Sequence, residues 1–341
     1  MSEKYVLFVP GGGLNDCFSR IWNVIMYCSL KNRTLLLDFT RSTYTINMPD
    51  FFTIQDTDFT MINQHYEWSK SVGDRFDRVL ERIPDGNYQC RIIYDTNEIL
   101  NILQSLQNSN NLSVHPNNLD FDLCDLYNGN GKNIQNFDYV SNPFSPYAYK
   151  GITLDLPDNA NESVILHSCC GGGEGYNFFK QLSLNDNIKS IIRRKLASLT
   201  PGYLCIQVRN TDYRCDYKGL YSENREFIHS FPQVYLCTDD SGAFEFLKST
   251  GLNVACFTTF PDIVENVDSS QAGADECTDE NGCCGIHHNS NADKATHMQD
   301  VLVDILIATN SKSILSNSKG GFINLLRRCH ENKDHVLKML E

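Results

Sequence analysis

Apolar and polar positions alternate in blocks along most of the chain. The run "YVLFVP" (5–10) is followed by "GGG" and then by apolar positions at helical spacing, Ile21, Ile25 and Cys28, supported by Trp22 and Met26. That order predicts a strand, a glycine turn and an amphipathic helix opening at Asp16 or Phe18. "RTLLLDF" (33–39) reads as a second strand, so residues 5–39 form one β-α-β unit, right-handed and parallel. From Tyr203 the rhythm is regular. Strand 203–209 precedes a helix near "SENREFIHSF" (222–231), strand "QVYLCTDD" (233–240), helix "SGAFEFLKST" (241–250) and strand "NVACFTTF" (253–260). Helix "THMQDVLVDILIATNS" (296–311), strand "KSILSNS" (312–318) and helix "GGFINLLRRC" (320–329) complete a second doubly wound pattern.

The middle of the chain is less regular. Residues 40–150 are rich in Asn, Asp, aromatics and proline, with short helices expected around "DRFDRVLERI" (74–83) and "TNEILNILQSL" (96–106). "ESVILHSCCGGGEG" (162–175) is another strand ending in glycines, and "DNIKSIIRRKLASLT" (186–200) a helix capped by Asn185 or Asp186. The expected class is α/β with two Rossmann-like domains, residues 1–185 and 186–341, facing each other across a cleft.

Composition narrows the function. At 341 residues two domains are the default. The net charge of −13 argues against nucleic acid or an anionic membrane as partner, so an anionic ligand must be held by a few local cations. No apolar run reaches spanning length, and "MSEKYVLFVP" enters a strand with no signal-peptide pattern, which points to a cytoplasmic protein. The 14 cysteines, several of them inside predicted elements, fit buried free thiols better than a disulfide framework.

Chemistry gathers at the strand ends. Ligands of open α/β sheets bind where the carboxyl ends of strands meet their loops. "GYLCIQVRNTDY" (202–213) ends its strand on Arg209, with Asn210, Asp212, Arg214 and Asp216 beyond it. An arginine there suits a diphosphate, although a surface Arg–Asp pair has the same letters. "VYLCTDD" ends on Thr238, Asp239 and Asp240, residue types that also serve as ordinary N-caps. "ILSNSKGGF" offers Ser316, Asn317 and Ser318 ahead of Gly320 and Gly321 at a helix start, a pattern that suits phosphate. The first turn, Gly11 to Gly13 with Asn15 and Asp16, lacks the dinucleotide fingerprint but also opens a helix. A polar insert at roughly 261–293 carries Cys277, Cys283, Cys284, His287 and His288, with His297 beyond it. No standard zinc spacing appears among them, so a mobile substrate loop is preferred to a metal site or to a thiol-dependent active site.

Four segments resemble the fucosyltransferase superfamily of nodulation-type, α1,2-, α1,6- and protein O-fucosyltransferases. They are "GGGLNDCFSRIWNVIMYCSLKNRTLLLD", "IQVRNTDY", "VYLCTDD" and "QDVLVDILIATNSKSILSNSKGGF". The resemblance implies a GT-B-type, inverting, metal-independent glycosyltransferase. It would carry L-fucose from GDP-fucose to a glycan hydroxyl, with no cofactor, and with the N-terminal domain on the acceptor side. By carry-over, Arg209 would meet the β-phosphate, Asp300 or Asp304 would hold guanine, and Ser316, Asn317 and Ser318 would surround the phosphates. Gly12, Gly13, Asn15 and Asp16 would lie near the donor sugar, and Gln207, Asn210, Thr238 and Asp239 would complete the donor site. The base would be Asp216, with Asp212 behind it. Two positions depart from the family pattern: its histidine is Gln207 here and its second arginine is Asn210, for which Lys319 or Arg214 would compensate. These departures keep two alternatives open, another nucleotide sugar or a non-catalytic glycan- or nucleotide-binding module. Trp68, Tyr94 and Tyr127 are candidate sugar platforms. The acceptor and the oligomeric state are not legible in the sequence.

Overall fold

The computed structural model describes residues 3–42, 44–54, 57–61, 65–69, 78–82, 86–106, 112–115, 163–169, 174–210, 215–260 and 293–341. The chain divides into two compact units, Met1–Ser183 and Leu184–Glu341.

In the first unit, β1 (Tyr5–Pro10) and β2 (Thr34–Leu37) flank α1 (Leu14–Lys31). The chain after β2 forms β3 (Phe52–Ile54), β4 (Thr57–Met61), β5 (His65–Ser69), β6 (Arg78–Arg82) and β7 (Gly86–Cys90). Then come β8 (Ile92–Ile93), α2 (Thr96–Leu106), β9 (Leu112–His115), β10 (Val164–Cys169) and α3 (Tyr176–Phe179), with β11 (Leu182–Leu184) at the junction of the units. The main sheet is parallel in the order β8-β2-β1-β10-β9. Every residue of β1 and β2 is buried, as expected of parallel strands covered on both faces. Tyr5, Leu7, Val9 and Leu36 pack with Ile99 and Leu103 of α2 on one side. Phe18 of α1 meets Phe52, Phe178 and Phe179 in an aromatic cluster.

Two local expectations are corrected here. Helix α1 opens at Leu14, earlier than Asp16 or Phe18, because Gly13 is its extended N-cap and Cys17 N already donates to Gly13 O at 2.9 Å. The stretch read as a helix at 74–83 contains β6, which pairs antiparallel with β5 from His65↔Arg82 to Ser69↔Arg78. A short helix carries a nucleation cost that a nearby partner strand avoids. The helix expected at 96–106 is α2.

The second unit contains α4 (Asp186–Ala197), β12 (Leu204–Val208), α5 (Tyr217–Glu223), α6 (Arg225–His229), β13 (Val234–Thr238) and α7 (Ser241–Ser249). It continues with β14 (Val254–Ala255), α8 (Lys294–Asn310), β15 (Ser313–Leu315), α9 (Gly321–Glu331) and α10 (Lys333–Val336). Its parallel sheet runs β14-β13-β12-β15. Leu204, Ile206 and Val208 pack with Leu220, Ile228, Leu236, Ala243 and Leu247 in the core. Asn185 caps α4 by accepting from Ile188 N at 3.0 Å.

The helix expected near 222–231 is two helices beginning earlier. Asp216 caps the first through Gly219 N at 2.8 Å, and the chain breaks at Asn224. The strand expected at 253–260 shrinks to two residues. Past Ala255 side chains take over the backbone groups: Lys195 Nζ donates to Phe257 O at 3.5 Å, and Thr259 N donates to Asp300 Oδ2 at 2.7 Å. An edge strand with partners of that kind leaves the ladder. Cys17, Cys28, Cys90, Cys205, Cys215, Cys237, Cys256 and Cys329 are free thiols, all buried except the half-buried Cys256.

Candidate functional site

The strand order of the second unit fixes where a ligand can sit. From β12 the chain steps outward to β13 and β14, then α8 carries it back to β15 on the other side of β12. Successive connections therefore diverge at the carboxyl ends of β12 and β15, the crevice where open α/β sheets bind ligands. Arg209 follows β12 there, and the turn Ser316–Gly320 follows β15.

The two exits touch. A Cβ at Gly320 would stand 3.0 Å from Arg209 Nη1, so the guanidinium lies against the backbone of that turn and would have to give way to a larger residue there. The turn holds its own shape: Ser318 N donates to Ser316 Oγ at 3.0 Å and Gly320 N to Ser318 Oγ at 3.4 Å. Ser316 Oγ donates in turn to Gln207 Oε1 at 2.7 Å, tying β15 to β12. Gly320 then caps α9, which has no acidic residue in its first turn. A cation beside a helix N-terminus with no acid in its first turn favours a negative group.

Several residues predicted to meet the donor also staple loops to one another. Asn210 N donates to Asp239 Oδ1 at 2.8 Å, its Nδ2 to Asp240 Oδ2 at 2.7 Å, and its Oδ1 accepts from Cys215 N at 3.1 Å. Thr238 is buried, and its Oγ1 accepts from Asp240 N at 3.1 Å. Asn317 accepts the Cys215 thiol proton at Oδ1 and donates from Nδ2 to the Asp216 carbonyl at 3.0 Å. The carboxylate of Asp216 is exposed at the start of α5. Asp212 and Arg214 lie outside the described residues, and Lys319 is exposed.

The alternative guanine partners separate. Asp304, one turn after Asp300 on α8, is buried with one oxygen on the Tyr235 hydroxyl and the other 3.2 Å from the Cys237 thiol. Burial pushes its carboxyl up to about 7, against the lowering effect of those two donors. Both carboxylates are buried, Asp304 against Tyr235 and Cys237 and Asp300 against the chain that follows β14. Asp300 meets Thr259 N and lies 3.8 Å from Lys195 Nζ, whose ammonium sits over the Phe257 ring at 5.0 Å. His297, one turn before Asp300, is half-buried, and its imidazole is pushed down to about 4, chiefly by desolvation.

The first unit has its own switch point, between β1 and β10. Gly12 takes a positive φ of 85° in the turn after β1, and the Cys17 thiol points back at Gly11 O and Gly12 O, at 3.4 and 3.5 Å. Asn15 is buried and its Oδ1 accepts from Gly175 N at 3.1 Å. A Cβ on Gly175 would lie 2.8 Å from Asn15 O, so the turn after β10 is pressed onto α1. Asp16 is half-buried in the first turn of α1.

Two groups, Asp38 and Cys215, escape a reading by motif. Asp38 ends β2 beside the glycine turn, its N bonding Phe8 O, and binds Thr40 Oγ1 and Arg41 Nη1, each at 2.6 Å. The signal was present, since "TLLLD" ends a strand on a charge just as "IQVR" does. Cys215 had none, because its side-chain partner Asn317 is distant in sequence, whereas Asp240, named at the end of "VYLCTDD", caps α7 through Gly242 N at 2.7 Å. Tyr94, a candidate sugar platform, takes Ile54 N on its hydroxyl at 3.2 Å. The side chain of Trp68, and Tyr127, Cys277, Cys283, Cys284, His287 and His288, lie outside the described residues. Among the described residues no acid, His and Cys cluster could hold a metal, and no helix is long and apolar enough to cross a membrane.

No protein-family model matches the chain, and no curated protein matches it. Solved structures do. A NodZ alpha-1,6-fucosyltransferase soaked with GDP-fucose aligns with a TM-score of 0.54 at 14% identity, over 96% of this chain and 92% of that one. The same enzyme co-crystallised with GDP gives 0.50 at 14% identity, over 96% and 92%. Fucosyltransferase NodZ from Bradyrhizobium gives 0.52 at 12% identity, over 96% and 93%. At such identities the likeness is one of fold: mixed α/β, with parallel sheets.

Proposed function

We propose that the chain is an inverting, metal-independent glycosyltransferase that moves L-fucose from GDP-fucose to a hydroxyl of a glycan acceptor. The observation that carries this reading is Arg209 laid against Gly320 at the switch point of the second unit, beside the N-terminus of α9. The fold shared with NodZ enzymes solved with GDP-fucose and with GDP supports the choice of nucleotide.

In the reaction an acceptor oxygen forms a bond to the anomeric carbon as the bond from that carbon to the β-phosphate oxygen breaks. The bonding pair leaves with GDP, and the acceptor proton passes to a carboxylate. Negative charge therefore grows on the diphosphate. Arg209 and the first backbone N–H groups of α9 are fixed donors for it, and donors of that kind act most strongly in the transition state. Ser316 and Ser318 shape the phosphate turn, and Asp300 reads the base. Asp216 is the proposed proton acceptor, since its exposed carboxylate needs no unfolding to reach solvent, with Asp212 as its alternate. The acceptor side falls to the first unit, with Asp16 toward the sugar.

The test is GDP-fucose turnover with a glycan panel in chelator-treated buffer. Turnover that collapses in Arg209→Ala and survives chelation supports the reading. GDP binding without turnover on any acceptor favours the non-catalytic module, for which the internally bonded Gln207 and Asn210 speak.

A further inference from the structure

We propose that Cys215 and Asn317 form a positioning pair that holds Arg209 against the β15–α9 turn, so that a buried thiol sets the geometry of the phosphate site. The proposal rests on the donor reading above and adds the device that preorganises its cation.

Asn317 stands where a phosphate ligand is expected, yet both ends of its side chain are engaged. Its Oδ1 takes the Cys215 thiol, and its Nδ2 binds the Asp216 carbonyl at 3.0 Å. The main chain of Cys215 is tied beside the arginine, its N donating to the Asn210 side chain. Cys215 therefore joins the residue next to the arginine to the turn on which the guanidinium rests. Burial raises the thiol's proton affinity, helped by the Asp216 and Asp239 charges, and keeps it a donor. A thiol is a weak donor, so the bond contributes geometry more than energy. Asn210 closes the same loop from its other end, where its Oδ1 accepts from Cys215 N at 3.1 Å. Arg209 is thus bracketed by two asparagine side chains that meet at residue 215, where the family pattern has a second arginine beside the first.

Calorimetric titration with GDP, on Arg209→Lys as well as on the native chain, tests the pair. Cys215→Ala and Asn317→Ala are each expected to weaken GDP about tenfold, and the double variant no further. In the Arg209→Lys background neither should cost more than about twofold, because both act through the arginine. Cys215→Ser, which keeps a donor, should stay within about threefold of native and so separates positioning from loss of fold. Losses that add to that of Arg209→Lys would make Asn317 a direct ligand and overturn the proposal, as would native affinity in Cys215→Ala. A native chain that binds no GDP, or an Arg209→Lys that binds it normally, would instead remove the donor reading itself.

Discussion

Each unit of the chain places a glycine turn between a buried parallel strand and a helix, at the switch point of its sheet. The two turns differ in what surrounds them. In the first unit the helix opens with Asp16, which answers the positive end of its dipole, and the basic residue at the neighbouring exit, Arg41, is paired with Asp38 at 2.6 Å. In the second unit α9 opens without an acid, and Arg209 lies on the turn itself. Glycines permit a close approach in both, and the second adds an arginine on the turn and a helix start without an acid, the combination proposed here to hold a phosphate. The chemistry resides in the charges around the turn, and the glycines are its precondition.

The largest effect that would break this contrast is at the arginines. Arg209→Ala should lower transfer by about 10²- to 10³-fold, the scale of one lost transition-state donor, and abolish measurable GDP binding. Arg41→Ala should leave GDP affinity within about twofold, since its charge is already answered by Asp38. Equal losses in the two variants would erase the distinction.

The glycines give a smaller effect. Gly320→Ala drives a Cβ to 3.0 Å from Arg209 Nη1 and should weaken GDP about tenfold by shifting the guanidinium. Gly13→Ala places its Cβ no closer than 3.9 Å to Asp16 Oδ2, at a φ of −69° that alanine accepts, and should leave GDP affinity unchanged. Titration of both variants with GDP checks the pair.

The smallest effect concerns pH and reaches the sheet from behind. The Asp304 carboxyl stands at about 7 in the folded chain, above its unfolded value of 3.8. The folded state therefore holds the extra proton between those values, and stability is lost as pH rises through them. His297, held near 4 against 6.5 unfolded, has the opposite slope: its neutral folded form loses stability as pH falls from about 6.5. Asp304→Asn removes the first term, so it should raise the melting temperature at pH 8 by about 5 °C or less. It should also leave a profile that climbs from pH 5 to about 6.5 and then levels, as scanning calorimetry across that range would show. A fall in melting temperature at pH 8 would mean that the ionised carboxylate stabilises the core.

Much of the fold was legible because its strands are short apolar runs closed by polar exits. "YVLFVP", "LCIQV" and "VYLCT" are strands for the same reason, burial on both faces. The failures were local competitions. Arg78–Arg82 has a helical look but a partner strand within reach, and the chain beyond Ala255 exchanged its ladder for Lys195 and Asp300. For the site, sequence pointed to the exits but not to the division of labour at them. Asn210 and Asn317 carry the side chains a ligand site would, and their hydrogen bonds to Asp239, Asp240 and Cys215, all beyond their own motifs, are visible only in the fold. Asp304 likewise shares a helix with Asp300 yet faces Tyr235 and Cys237.

The most direct test of the phosphate site at the β12 and β15 exits is calorimetric titration of the chelator-treated protein with GDP and, as control, UDP. Saturable GDP binding, weaker for UDP and absent in Arg209→Ala, is the expected result. Equal binding of GDP by the native chain and by Arg209→Ala would place the nucleotide elsewhere and contradict it.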